Sequence, residues 1–245
     1  MQAGVGFLQW CSCYTGFSGY ETHYPNGREQ IMHATSKDLI TWIKHPEHTF
    51  NADGVHYQNK DGIDFRDPYV FRNEKERNYW MLLCARDGKT GDPVTGVAVC
   101  KDLIRWEQVL PIVQKALPCA GMGETAECPD LFKMGDTYYL LFSSCKTGVT
   151  AMRYSKDLHK EFVDPGPPVV QRPTQFPSKR IWAGGEQWEH GIHNPDTHCL
   201  YAAKRMFDGK RHVLVGWIGD KAGERDYGDY VWGGTMEPVP SAVDS

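Results

Sequence analysis

SKDLITW, residues 36–42, returns as CKDLIRW at residues 100–106 and more loosely as SKDLHKEF at residues 155–162. Each copy follows a short β-rich run: QIMHAT, GVAVC and TAMRY. The shared Lys-Asp-Leu reads as a tight turn in which the Asp side chain bonds nearby backbone N–H groups. A second repeat interleaves with the first. DPYVFRNEKERNYWMLLCA, residues 67–85, is echoed by CPDLFKMGDTYYLLFSS, residues 128–144, and less closely by DTHCLYAAKRMFDGKRHVLVGWI, residues 196–218. Each is a hairpin signature: a short strand, a polar turn (residues 73–78, 134–137 and 208–210), then an aromatic or β-branched strand. Tyr69, Val70 and Phe71 read as the start of a buried strand. No amphipathic helix of useful length is visible. Short strands in repeated hairpins with irregular insertions describe a β-propeller better than a sandwich. The expectation is therefore an all-β chain, residues 1–245 forming one propeller domain with at least three full blades.

Composition narrows the function. The net charge of −4, with no run of like charge, gives no sign of a nucleic-acid partner. Charges interrupt every apolar run, so no membrane span is expected. The start, MQAGVGFLQWCSCYTG, lacks a basic n-region and a clean apolar stretch and makes a poor signal peptide. Eight Trp and twelve Tyr suit sugar stacking, although β cores are also rich in aromatics. None of the eight cysteines forms a CxxC pair, so reduced thiols and a cytoplasmic setting are the expectation. No metal and no cofactor is expected: Cys11, Cys13 and His198-Cys199 lack zinc-ligand spacing. His190, His193 and His198 read as surface loop, and Glu186 and Glu189 as solvated.

The hairpin alignment points to chemistry. With Pro68 set on Pro129, Arg66 falls on Glu127 and Asp67 on Cys128. Asp67 and Glu127 thus stand just before the first strands of adjacent blades, where side chains could reach one sugar. Glycosidic hydrolysis needs an acid for the leaving oxygen and a second group that manages oxocarbenium charge. An apolar wall raises a carboxyl's pKa and suits the acid; an Arg neighbour favours an anion and suits Asp67. Taken singly, Asp67 is also an ordinary turn residue before proline and Glu127 an ordinary rim glutamate, with Glu124 as its competitor. Trp10 and Trp182 are candidate sugar-stacking residues, or else buried blade aromatics.

DFRDP (residues 64–68), ECPDLF (127–132), the SKDLITW turn and the closing YAAKRMF…VLVGWI…WGGTMEP resemble glycoside hydrolase family 32, the invertases, fructanases and related fructosyltransferases. The ordered match runs from about His33 to Met236. It implies a five-bladed propeller and a retaining enzyme acting on β-fructofuranosides such as sucrose, fructo-oligosaccharides, inulin or levan. By resemblance, Asp67 is the transition-state stabiliser, Arg66 the basic residue that orders it, Glu127 the general acid/base, and Cys128 the cysteine beside it.

The family's nucleophile is an Asp in the first strand of the first blade. This chain has no Asp before Asp38, which fills a turn slot, and its only earlier carboxylate is Glu21. No nucleophile is assigned, and a first blade incomplete at its N-terminal side is expected. Weak or absent activity follows as an expectation, as does a homodimer or marginal stability through exposed strand edges. The alternatives are a catalytically degenerate carbohydrate-binding propeller and an arabinan- or xylan-acting propeller hydrolase.

Overall fold

A computed structural model describes residues 10–18, 28–113, 126–144, 149–163, 201–207, 212–221 and 230–240. Those residues form four antiparallel sheets and one 3-10 turn at Pro46–His48. The first sheet joins β1 (Trp10–Ser18), β2 (Arg28–Ser36) and β3 (Trp42–Lys44). The second runs β4 (Phe65–Asn73), β5 (Asn78–Arg86), β6 (Pro93–Cys100) and β7 (Glu107–Val113). The third holds β8 (Ala126–Met134), β9 (Thr137–Ser144) and β10 (Val149–Ser155). The fourth holds β11 (Tyr201–Phe207), β12 (His212–Lys221) and β13 (Tyr230–Pro240). The chain divides into two compact units, residues 1–92 with 96–111 and residues 93–95 with 112–245. Among the described residues no helix is long and apolar enough to cross a membrane.

The repeated turn has the predicted construction. Asp38 Oδ1 accepts the N–H groups of Ile40 at 2.9 Å and Thr41 at 2.7 Å. Asp102 Oδ1 accepts those of Ile104 at 3.0 Å and Arg105 at 2.9 Å. Asp157 Oδ1 accepts that of His159 at 3.1 Å. The residue before these turns also acts alike: Ser36 Oγ accepts the Leu39 N–H at 2.8 Å and the Cys100 thiol accepts that of Leu103 at 3.0 Å. Leu39 and Leu103 reverse the chain at φ 62° and 63°. Backbone N–H groups aimed at one oxygen favour the anion, and they pull the carboxyls of Asp38 and Asp102 down to about 2.

These turns fix the correspondence between sheets. The turn follows β2, β6 and β10, so those strands are equivalent, as are β1, β5 and β9 on one side of them. The first sheet, among the described residues, holds counterparts of β5, β6 and β7 and none of β4. Two predicted hairpin turns close as expected, with Asn73 paired to Asn78 and Met134 to Thr137, the latter through Gly135 at φ 54°. The third predicted turn, 208–210, lies outside the described residues.

In the first unit the core forms around β5, where Trp80 to Ala85 are all buried. Phe65, Ile31, Val97 and Tyr57 are buried in the same unit. Tyr57 comes from the segment between β3 and β4. Its hydroxyl donates to the Val109 carbonyl at 2.5 Å and accepts the Val97 N–H at 2.7 Å, which pins that segment to β6 and β7. Burial drives its phenol pKa upward. The reading of Tyr69 to Phe71 as the start of a buried strand is corrected: all three are only partly buried, on a strand that ends its sheet among the described residues. In the second unit Phe132, Leu141, Ala203 and Leu214 form a buried cluster drawn from β8, β9, β11 and β12.

Gly88 marks a close approach. A Cβ there would stand 2.3 Å from the Val55 carbonyl oxygen, and its N–H donates to the His56 carbonyl at 2.8 Å. Gly88→Ala should cost about 3 kcal/mol, the upper end for overpacking, because backbone rather than a flexible side chain must move. Chemical denaturation should show a lower midpoint with an unchanged slope.

Candidate active site

The same irregularity interrupts the first strand of three sheets. In β4, Arg66 pairs with Cys84 and Tyr69 with Leu82, so Asp67 and Pro68 oppose the single residue Leu83. In β8, Glu127 pairs with Ser143 and Asp130 with Leu141, so Cys128 and Pro129 oppose Phe142. In β11, Tyr201 pairs with Trp217 and Lys204 with Val215, so Ala202 and Ala203 oppose Gly216. Each is a β-bulge whose first residue has positive φ: Asp67 at 58°, Cys128 at 51° and Ala202 at 54°. A non-glycine residue in that region costs about 1–2 kcal/mol, and it recurs here three times at one position. Proline suits the second slot because an unpaired residue needs no ladder N–H. Arg66, Glu127 and Tyr201 are therefore structurally equivalent, each being the last regular pair before a bulge. Bulges of this kind re-aim side chains and favour active sites.

Around the first bulge lies a charged network. Arg66 Nη1 donates to Glu29 Oε1 at 2.8 Å and to Asp64 Oδ1 at 2.5 Å, while Arg86 Nε reaches Asp64 Oδ2 at 2.6 Å. The other Glu29 oxygen accepts the Phe65 N–H at 2.7 Å. The expected Arg66–Asp67 pair is looser, at 3.9 Å from Nε to Oδ2, because the guanidinium is turned toward Glu29 and Asp64. Glu29 is buried, with 5% of its side chain exposed. Burial raises its pKa, opposed by the Arg66 charge and the Phe65 N–H.

Around the second bulge, the Tyr201 hydroxyl donates to Glu127 Oε2. The strand carrying Tyr201 is tied to β8 and β9: Lys204 Nζ donates to the Pro129 carbonyl at 2.7 Å and the Ala202 N–H to Ser143 Oγ at 2.8 Å. The Arg205 N–H donates to buried Asp130 at 2.5 Å, and the Arg205 guanidinium lies 5.2 Å from the centre of the Phe132 ring. Cys128 is half-buried, and Cys84 and Cys100 are buried.

The structure thus groups Arg66 with Asp67, and Glu127 with Cys128. Trp10 begins β1, paired with Ser36. Trp182, Glu124, Glu186, Glu189 and the histidines 190, 193 and 198 lie outside the described residues. Sequence reading missed Glu29 and Tyr201. Tyr201 carried a signal, since it aligns with Glu127 in the third hairpin repeat; Glu29 carried none, because its partners lie more than thirty positions away.

Repeated hairpin sheets with carboxylates set at bulges define a protein built from propeller blades. Residues 9–240 match the N-terminal domain of glycosyl hydrolases family 32, and the chain belongs to that family. Its relatives include sucrose-6-phosphate hydrolase of Escherichia coli, 29% identical over 185 residues, a match covering 69% of this chain and 33% of the relative. The enzyme of that name from Klebsiella pneumoniae is 30% identical over 165 residues, covering 65% of this chain and 31% of the relative. The chain spans about a third of the length of these curated relatives. Among solved structures, a β-fructofuranosidase of Bombyx mori aligns at TM-score 0.62 and 19% identity, covering 96% of this chain and 46% of that one. Fructan 1-exohydrolase IIa of Cichorium intybus aligns at TM-score 0.60 and 18% identity, covering 94% and 41%. Variants of these two have been solved with sucrose and with 1-kestose, respectively. At such identities the likeness concerns the fold: the chain is all-β and its sheets are blades of the five-bladed propeller type.

Proposed function

We propose that this chain acts on β-fructofuranosides, as a hydrolase that retains configuration, with an oligo- or polysaccharide substrate such as sucrose or a fructan. Family membership over residues 9–240 is the observation that carries this reading. The proposed roles follow from the sequence motifs. Glu127 donates a proton to the glycosidic oxygen as the bond to the fructosyl carbon breaks, then takes a proton from the water that releases fructose. Asp67 stabilises the fructosyl unit through its hydroxyls, and Arg66 sets the charge beside it. Tyr201, bonded to Glu127, holds that carboxylate in one rotamer. The carboxylate that attacks the anomeric carbon is assigned to no residue of this chain. The domain itself we take as one propeller, residues 1–245.

The test is fructose release from sucrose, 1-kestose, inulin and levan, with arabinan and xylan as controls, alongside calorimetry with the same sugars. Release from a fructoside is the expected result. Turnover confined to arabinan or xylan would overturn the substrate assignment. Fructoside binding without turnover would leave the specificity standing and replace hydrolysis with carbohydrate binding.

A further inference from the structure

Behind the first repeated turn lies a cluster that the fructoside reading does not use. The 3-10 turn Pro46–His48 is held by the His48 N–H to the His45 carbonyl at 3.0 Å and the Thr49 N–H to the Pro46 carbonyl at 3.1 Å. It is docked on β2 by the His45 N–H to the His33 carbonyl at 2.8 Å. The turn carries His45, Glu47 and His48, whose donor atoms, one from each, all lie within 4.8 Å of one another. We propose that His45, Glu47 and His48 form a binding site for a divalent transition-metal ion of the zinc kind.

Three observations converge on it. The first is spacing. Glu47 Oε1 lies 3.1 Å from His45 Nδ1 and 3.7 Å from His48 Nε2. An ion held at about 2.0–2.1 Å by tetrahedral N and O ligands separates neighbouring donors by roughly 3.3–3.5 Å, which falls between those two values. Two imidazoles and a carboxylate are also a donor set that zinc accepts with a position left open.

The second is support behind the ligand. A metal-binding histidine characteristically has its other ring nitrogen hydrogen-bonded, which fixes the ring. His45 Nε2 lies 2.8 Å from the hydroxyl of buried Thr35. When that hydroxyl accepts from Nε2–H, the lone pair of Nδ1 faces Glu47. In that tautomer Nδ1 and the Glu47 carboxylate offer their lone pairs to one ion.

The third is a buried imidazole with no hydrogen bond. His33 is 6% exposed, and both its ring nitrogens are without a hydrogen-bond partner among the described residues. Its ring centre is 5.3 Å from that of His45 and 5.6 Å from that of His48, and those two rings stack at 5.6 Å. A further buried imidazole thus stands beside the three proposed donors. His45 and His48 remain about a quarter exposed, so an ion can reach them from solvent.

The experiment is titration of the chelator-treated full chain with zinc chloride, followed by calorimetry, and with cobalt(II), followed by visible absorption. One ion per chain is expected, with affinity falling at least about tenfold in His48→Ala and in Glu47→Gln. Both side chains are solvent-accessible, so the metal-free variants should unfold at the wild-type temperature. Resonances of the His45 ring nitrogens should shift on zinc addition to wild type. Absence of saturable binding, or equal affinity in wild type and His48→Ala, would overturn the proposal; the latter would mean that zinc binds elsewhere in the chain.

Discussion

Glu127→Gln should slow fructose release by about two to four orders of magnitude on any β-fructofuranoside the chain turns over, which is the usual contribution of a general acid/base. The substitution is nearly isosteric. A glutamine oxygen still accepts the Tyr201 hydroxyl, so the link between β8 and β11 survives and folding should be unchanged. What disappears is the transferable proton. The loss should therefore depend on the leaving group: a fructosyl fluoride, whose leaving group needs little protonation, should be spared most of it. Equal losses on fluoride and sucrose would mean that Glu127 supports the site without donating a proton. Undiminished release would remove it from the chemistry. Tyr201→Phe offers the complement, lowering kcat by freeing the carboxylate while the proton donor itself remains.

Glu29→Ala should destabilise the first unit by about 3 kcal/mol, since breaking a buried ion pair leaves the remaining partner's charge poorly compensated. Two losses combine there. The Phe65 N–H at the start of β4 loses its acceptor, and Arg66 keeps only Asp64 among its two close carboxylates. Glu29→Gln should cost less, because an amide oxygen can still accept the Phe65 N–H. The pH dependence separates charge from shape. The folded-state pKa of Glu29 is raised, so its contribution is fully present below the ordinary glutamate value near 4.5 and is lost as pH rises through the folded value. Wild type should lose stability over that interval relative to Glu29→Gln, in which nothing titrates at this position. Parallel stability curves for the two proteins from pH 4 to 8 would contradict that assignment.

Much of the fold was legible because its instructions are local. Asp38, Asp102 and Asp157 bond backbone groups two or three residues ahead, so the same short motif makes the same turn wherever it occurs. Residues 73–78 and 134–137 likewise close their hairpins from within. Asp67 and Glu127 stood out because two repeats aligned on proline. The partial exposure of β4 was not legible: an apolar run such as Tyr69–Phe71 does not reveal how far the faces of its sheet will be covered. Nor was the bulge, which depends on how many residues the partner strand sets opposite.

The turns, the hairpin order, the all-β class and the family motifs could be read from the chain alone, because each depends on residues close together in it. Which side chains surround those motifs emerged with the packing of the strands. Glu29 meets Arg66 across 37 positions and Tyr201 meets Glu127 across 74, and His33 joins His45 and His48 through strand docking. Contacts of that range carry no signature of their own in the chain; burial, register and the bulges that re-aim each strand bring them about.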